Sequence, residues 1–242
     1  MLKKFSLSML VTALSMPLSA HAQDGGGEAL APKLQKMAAE AVKRYPVETL
    51  KTFQDAVATV KATGVEERAK QVGDKAIDAE LSGWDGNNVK LSELWKEGPV
   101  VLMWYRGGWC PYCNIQLRAM QQKLAAIEGA GARLVVLTPE LPEKAKETAE
   151  SNDLSMVALH DRDSELAKKY GLLFQLPESI VPAYRDRIKL GDYNGNDRME
   201  LPLSATYVID TSGTITYAFL DADYKKRAEP SEVLKAVQEA KK

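Results

Sequence analysis

Cysteine is nearly absent from this chain: its 242 residues hold two, with two histidines beside them and 33 acidic residues against 32 basic ones. Each shortage excludes something. A fold stapled by disulfides needs several cysteine pairs. A tetrahedral zinc site needs about four ligands, and Cys110, Cys113 and His160 fall short once His21 is assigned to a leader. Covalent haem would require His directly after Cys113, where Asn114 stands. The sequence therefore asks for no metal and no cofactor. Without a basic excess, neither nucleic acid nor an anionic membrane is indicated as a partner. After the N-terminal stretch no apolar run approaches the roughly 20 residues a membrane span needs.

That N-terminal stretch carries Lys3 and Lys4, an apolar run from Phe5 to Leu18, and then Ala20-His21-Ala22. A basic start, a short apolar centre and a small-x-small site describe a secretory signal peptide over residues 1–22, cleaved after Ala22. The expectation is a bacterial protein that is periplasmic or secreted, with no membrane insertion once the leader is removed. Residues 23–71 read as a linker and helical hairpin, and residues 72–242 as the main domain, a length suited to one core with appended elements.

The two cysteines lie three residues apart in Trp104-Tyr105-Arg106-Gly107-Gly108-Trp109-Cys110-Pro111-Tyr112-Cys113. Upstream, Pro99 to Tyr105 is apolar throughout, which predicts a strand buried on both faces. Downstream, Ile115, Leu117, Met120, Leu124 and Ile127 recur near helical spacing, so Cys110 and Cys113 fall on the first turn of a helix that Pro111 helps to open. Unpaired N–H groups there favour thiolate, the reactive form of cysteine. Positions i and i+3 share a helix face with Cα atoms about 5 to 6 Å apart, within reach of a disulfide. So short a loop removes little entropy from the unfolded chain, which argues for a redox pair over a structural staple.

Elsewhere the hydrophobic pattern organises the chain. Leu30, Leu34, Met37, Ala41 and Tyr45 mark one helix, and Leu50, Phe53, Val57 and Val60 the next, with Pro46 between them. This stripe must be buried against the main domain or in a homodimer. Asp85-Gly86-Asn87-Asn88 predicts a hairpin turn between segments near Ile77–Leu81 and Val89–Leu91. Strand 99–105, helix 111–128, strand 133–137, helix 142–151, strand 156–159 and helix 162–170 follow. Strands 205–210 and 214–220 and a helix from Pro230 complete the order. Alternating strands and helices imply parallel βαβ units, and the last hairpin adds antiparallel strands, giving an α/β sandwich around a mixed sheet. Leu172 to Leu203 shows little periodicity and reads as a long insertion, over the site or as a surface excursion.

The Tyr105–Cys113 stretch, Asp161 to Gly171, Ala205 to Gly213 and the late Asp223-Tyr224…Arg227-Ala228-Glu229-Pro230 segment together resemble the peroxiredoxins of the alkyl hydroperoxide reductase and thiol-specific antioxidant family, within the thioredoxin-like superfamily. The resemblance implies a thioredoxin-like three-layer sandwich preceded by a helical hairpin. It implies a thiol-dependent peroxidase with an antioxidant role, a peroxide substrate and a thioredoxin-like or other thiol electron donor. In ungapped register the family's Pro-x-x-x-Thr-x-x-Cys places Arg106 at the proline, Cys110 at the threonine and Cys113 at the peroxidatic cysteine. Ser204 falls where the family carries its later arginine, leaving Arg106 as the nearest substitute cation. Cys110 and Cys113 are then the catalytic pair, joined as a Cys110–Cys113 disulfide when oxidised, with Arg106, Trp109 and Pro111 in support. The motif also fits a disulfide oxidoreductase in which Cys110, nearer the helix tip, attacks first. Trp109 is expected to shield the sulfurs, and His160 to make a structural hydrogen bond. Arg227 and Glu229 read as a solvated turn and helix start, and Asp163, Glu165, Lys168 and Lys169 as a solvated helix face.

Overall fold

The computed structural model describes residues 29–240; the leader expected over residues 1–22 lies outside them. Helix α1 (Leu30–Arg44) and helix α2 (Val47–Ala62) form the hairpin, followed by a single turn α3 (Val65–Arg68). Strands β1 (Glu80–Ser82) and β2 (Asn88–Lys90) pair around the predicted turn. Helix α4 (Leu91–Glu97), not anticipated, packs Leu91 and Trp95 into the core before β3 (Val100–Trp104). Then come α5 (Pro111–Gly129), β4 (Arg133–Thr138), α6 (Pro142–Ser151), β5 (Ala158–His160) and α7 (Glu165–Lys169).

The five-stranded sheet runs β5-β4-β3-β8-β9, with β8 (Thr206–Ile209) and β9 (Ile215–Phe219) last in sequence. β3 is parallel to β4 and antiparallel to β8, with Leu102 opposite both Val135 and Tyr207. Every residue of β3 is buried, because alternate side chains enter two different cores. Val101 and Met103 join Leu34, Met120, Ile127 and Val237, from α1, α5 and the closing helix α9 (Pro230–Ala240). Val100, Leu102 and Trp104 face Val65, Leu91, Leu166 and Tyr170. The result is the expected thioredoxin-like three-layer sandwich.

Three expectations need correction. The predicted helix 162–170 begins later, since Asp163 and Ser164 have φ of 54° and 55°. Asp161 accounts for the delay: its buried carboxylate accepts the N–H groups of Leu166 and Ala167 and the indole N–H of Trp104, so it serves as a cap displaced from the helix and ties α7 to β3. The 172–203 segment is also built rather than irregular. It holds β6 (Leu173–Gln175) paired with β7 (Glu200–Pro202), a π-helical turn at Ala183–Ile188 and helix α8 (Leu190–Asn194). Its Leu176, Ile180, Tyr184 and Leu201 share a third apolar cluster with Ala56 of α2, so the insertion and the hairpin stabilise each other.

Glu229 is not merely solvated either. Its carboxylate accepts the N–H groups of Leu30 and Ala31 at 2.9 and 2.6 Å, satisfying the free donors at the start of α1. The hairpin stripe is buried against the main domain near its ends, through Leu30, Leu34, Ala56 and Val60, while Val42, Tyr45 and Val47 at its tip are exposed.

Candidate active site

The site begins where β3 ends. The loop Arg106-Gly107-Gly108-Trp109 must turn sharply to present Cys110 as the residue before α5, and its two glycines make that turn feasible. Gly107 has φ of 149°, and a Cβ there would collide with the Trp109 ring; one on Gly108 would collide with Thr148. Cys110 caps α5 with extended dihedrals, Pro111 occupies the first helical position, and Cys113 follows within the first turn. The Cys110 carbonyl accepts the first helical hydrogen bond from the Asn114 N–H, and the Asn114 amide side chain donates to the Gly108 carbonyl.

Both thiols are reduced and buried, Cys110 2% exposed and Cys113 fully enclosed. The helix tip is therefore less open than its position in the sequence implied. The decisive contact comes from a distant segment: Arg227 Nη2 donates to Cys113 Sγ at 3.3 Å. Its Nη1 is fixed by the carbonyls of Tyr224 and Lys226. Arg227, expected on a solvated turn, is 6% exposed. Burial alone would push the Cys113 thiol up, but the hydrogen bond from Cys110 and the charges of Arg227 and Arg106 hold it well below the ordinary thiol range. Cys110 moves the opposite way. Burial and the adjacent Cys113 anion raise it far above that range, against the partial relief the two arginines give. The two neighbouring cysteines are thus pushed in opposite directions, Cys113 toward thiolate and Cys110 toward thiol.

Arg106 is enclosed by rings. Its guanidinium carbon lies 5.1, 5.7 and 4.8 Å from the ring centres of Trp109, Tyr184 and Tyr224, and Nη2 donates to the Tyr184 hydroxyl. Cation–π contact of this kind contributes about 0.5 to 2 kcal/mol. Burial would favour loss of the proton, yet the surrounding tyrosines and cysteines keep Arg106 charged. Trp109 meets Tyr184 edge-on at 5.4 Å, and Tyr112 meets Tyr224 edge-on at 5.6 Å. Trp109 thus packs against Arg106 and against a tyrosine from the insertion.

Beneath the loop lies a carboxylate that the sequence reading missed. Glu140, just past the end of β4, is wholly buried and accepts the Gly108 N–H at 2.8 Å, with Thr148 Oγ1 nearby at 3.4 Å. Burial, reinforced by the Cys113 anion, raises it to about 7. The signal for it was its place at the carboxyl end of a parallel strand, where α/β sites collect. His160 is half-buried, but its Nε2 has no hydrogen-bond partner and burial lowers its pKa. Ser204, at the family's arginine position, is buried with its hydroxyl unpartnered. The guanidinium in contact with the Cys113 sulfur is that of Arg227.

The AhpC/TSA family profile matches residues 72–218. The chain belongs to that family. It is a peroxiredoxin-like protein of thioredoxin fold. Peroxiredoxin Bcp of Escherichia coli is 24% identical over 153 residues, covering 62% of this chain and 86% of its own. Peroxiredoxin Q of Gentiana triflora is 28% identical over 160 residues, 66% of this chain and 63% of its own. Among solved structures, peroxidoxin BcpB of Mycobacterium tuberculosis superposes with a TM-score of 0.54 at 20% identity, covering 70% of this chain and 97% of that one. Xanthomonas campestris peroxiredoxin Q superposes at 0.52 with 15% identity, over 68% and 92%. At these identities the superpositions speak to fold. The α1–α2 hairpin and the Arg227 segment both lie outside the matched region.

Proposed function

We propose that the protein is an exported thiol-dependent peroxidase that reduces hydrogen peroxide or alkyl hydroperoxides through Cys110 and Cys113, with an antioxidant role. The Arg227–Cys113 contact carries this reading. The Cys113 thiolate attacks the outer peroxide oxygen, forming an S–O bond as the O–O bond breaks. The sulfur loses two electrons and becomes a sulfenic acid, and the departing oxygen takes up a proton to leave as alcohol or water. Arg106 and Arg227 stabilise the charge spreading onto the oxygens. Cys110 then attacks the sulfenic sulfur, water departs, and a Cys110–Cys113 disulfide forms. A thioredoxin-like dithiol donor returns both thiols. The basic, apolar and small-residue order of residues 1–22 supports a periplasmic or secreted location. Recovery of a chain beginning at Gln23 checks it, and retention of the leader would refute it.

The Cys-x-x-Cys motif also favours a second reading, a disulfide oxidoreductase attacking through Cys110. The burial and raised pKa of Cys110 weigh against it, because a protein disulfide must reach an exposed thiolate. Stopped-flow rates separate the two. Cys113→Ser is expected to abolish reaction with peroxide, whereas Cys110→Ser permits one turnover and leaves a dimedone-reactive sulfenic acid. Rapid insulin reduction through Cys110, with peroxide consumed no faster than by free cysteine, would establish the oxidoreductase instead.

A further inference from the structure

One buried acid takes no part in the peroxide chemistry. Glu140 is wholly enclosed, and its partners are neutral donors: the Gly108 N–H at 2.8 Å, the Thr148 hydroxyl at 3.4 Å and the Tyr105 phenol. The titratable groups that act on it are Tyr105, from the end of β3, and Cys113, from α5, while α6 presents the neutral Thr148. Gly108 lies two residues before Cys110 and is held at both ends, its N–H by Glu140 and its carbonyl by Asn114 of α5. The carboxyl group is therefore tied to the loop that carries the sulfurs, and it senses the charge on one of them. Two buried acids that sense each other do not both ionise readily. In the reduced protein Arg227 and Arg106 favour the negative charge on Cys113, and that charge works with burial to keep the proton on Glu140 up to about pH 7. A disulfide removes the sulfur anion and leaves two guanidiniums, 3% and 6% exposed, without it. Both changes favour the carboxylate, and an ionised acceptor holds an N–H more strongly than a neutral one.

We propose that Glu140 is a positioning residue whose proton follows the sulfur: it keeps the proton while Cys113 is a thiolate, releases it when the Cys110–Cys113 disulfide forms, and as a carboxylate then tightens its hold on the Gly108 N–H. The coupling needs only the disulfide, so it applies under either functional reading. With a peroxide as oxidant the balance closes within the protein. The Cys113 thiolate and the Cys110 thiol lose two electrons in forming the S–S bond, and the O–O bond takes them up as it breaks. Its two oxygens need two protons to leave as alcohol and water; Cys110 gives one and Glu140 the other. On reduction by a dithiol donor, Cys110 and Glu140 take both protons back, and the loop is held less firmly again.

The test is the disulfide-exchange equilibrium with dithiothreitol between pH 6 and pH 7. Dithiothreitol loses two protons with its two electrons, so the pH slope reports how many the protein loses. In Glu140→Gln only Cys110 releases one, and the equilibrium constant for forming the protein disulfide should fall about tenfold per unit of rising pH. In the unaltered protein Glu140 supplies the second, and the fall should be no more than about threefold. Infrared difference spectra of the unaltered protein at pH 6, before and after oxidation by diamide, are expected to show the carbonyl band of a protonated carboxyl disappear, a measurement independent of how well the variant folds. Amide hydrogen exchange at Gly108 is expected to be slower in the disulfide form. Equal pH slopes in the two proteins, a carboxyl band unchanged by oxidation, or exchange at Gly108 no slower in the disulfide form would each overturn the coupling and leave both functional readings standing. If diamide forms no Cys110–Cys113 disulfide, the couple itself is absent and both readings fall with the inference.

Discussion

Replacing Arg227 by Met keeps an extended apolar stem in place but removes the donor 3.3 Å from Cys113 Sγ. A hydrogen bond to a charged group contributes about 1.5 to 3 kcal/mol. Arg106 remains as a second cation near the same sulfur, which argues for the lower half of that range. The thiolate should therefore become harder to form by about one pKa unit or somewhat more, and the peroxide rate constant at neutral pH should fall roughly tenfold. Ultraviolet absorbance of the thiolate against pH gives the first quantity, and stopped-flow mixing with hydrogen peroxide the second. The sign of the stability effect follows. The folded Cys113 pKa lies below that of an unfolded thiol, about 8.5, so its stabilisation is fully present above that pH and is lost as pH falls through the folded value. The gap in unfolding free energy between the original protein and Arg227→Met should accordingly be widest in alkali and narrow on acidification. Arg227→Lys, which keeps the charge without the planar fork, should fall between. An unshifted thiolate titration in a folded Arg227→Met protein, with the peroxide rate within twofold, would refute the assignment.

Glu140→Gln should remove an inflection near pH 7 from the rate profile. Because the folded Glu140 pKa is raised, the original protein loses stability as pH climbs from the unfolded carboxyl value through about 7, and urea titrations at pH 5 and pH 8 should show that slope flattened in the variant. Leu34→Ala, in the packed contact between α1 and the core, should cost about 2 to 5 kcal/mol, read from denaturant midpoints. Glu229→Ala should cost about 1 kcal/mol as a lost cap, with faster hydrogen exchange at the amides of Leu30 and Ala31; unchanged exchange there would contradict the capping role.

The sequence and the structure agree where a local pattern suffices. β3 was legible because five consecutive apolar residues between turn signals have to be buried on both faces, and α5 because Pro111 and the Ile115–Ile127 spacing mark its start and its inner face. α4 went unread because Leu91 to Glu97 spans only two turns, too few to show a period. The cysteine pair was visible as a motif, and Arg106 and Trp109 as its neighbours. Arg227 was not, since 114 residues separate it from Cys113 and nothing in a basic residue near a helix start distinguishes a buried donor from a solvated one. Tyr184 was hidden for a different reason: a π-helical turn inside a paired insertion has no simple hydrophobic period.

Within three residues of chain, Arg227 holds the sulfur and Glu229 holds the first amides of α1. A boundary drawn at residue 72, where the hydrophobic pattern changes, is crossed by these contacts and by the packing of Leu34 on the core. A shortened chain beginning there would keep every residue of the Cys-x-x-Cys motif and the whole central sheet. It would also leave the Glu229 carboxylate without its two donors, uncover the α5 surface where Leu34 packs, and strip Ala56 and Val60 from the insertion and the adjoining core. Such a fragment would be a poor stand-in for the protein, because the hairpin is one of the supports that set where the thiolate's guanidinium sits.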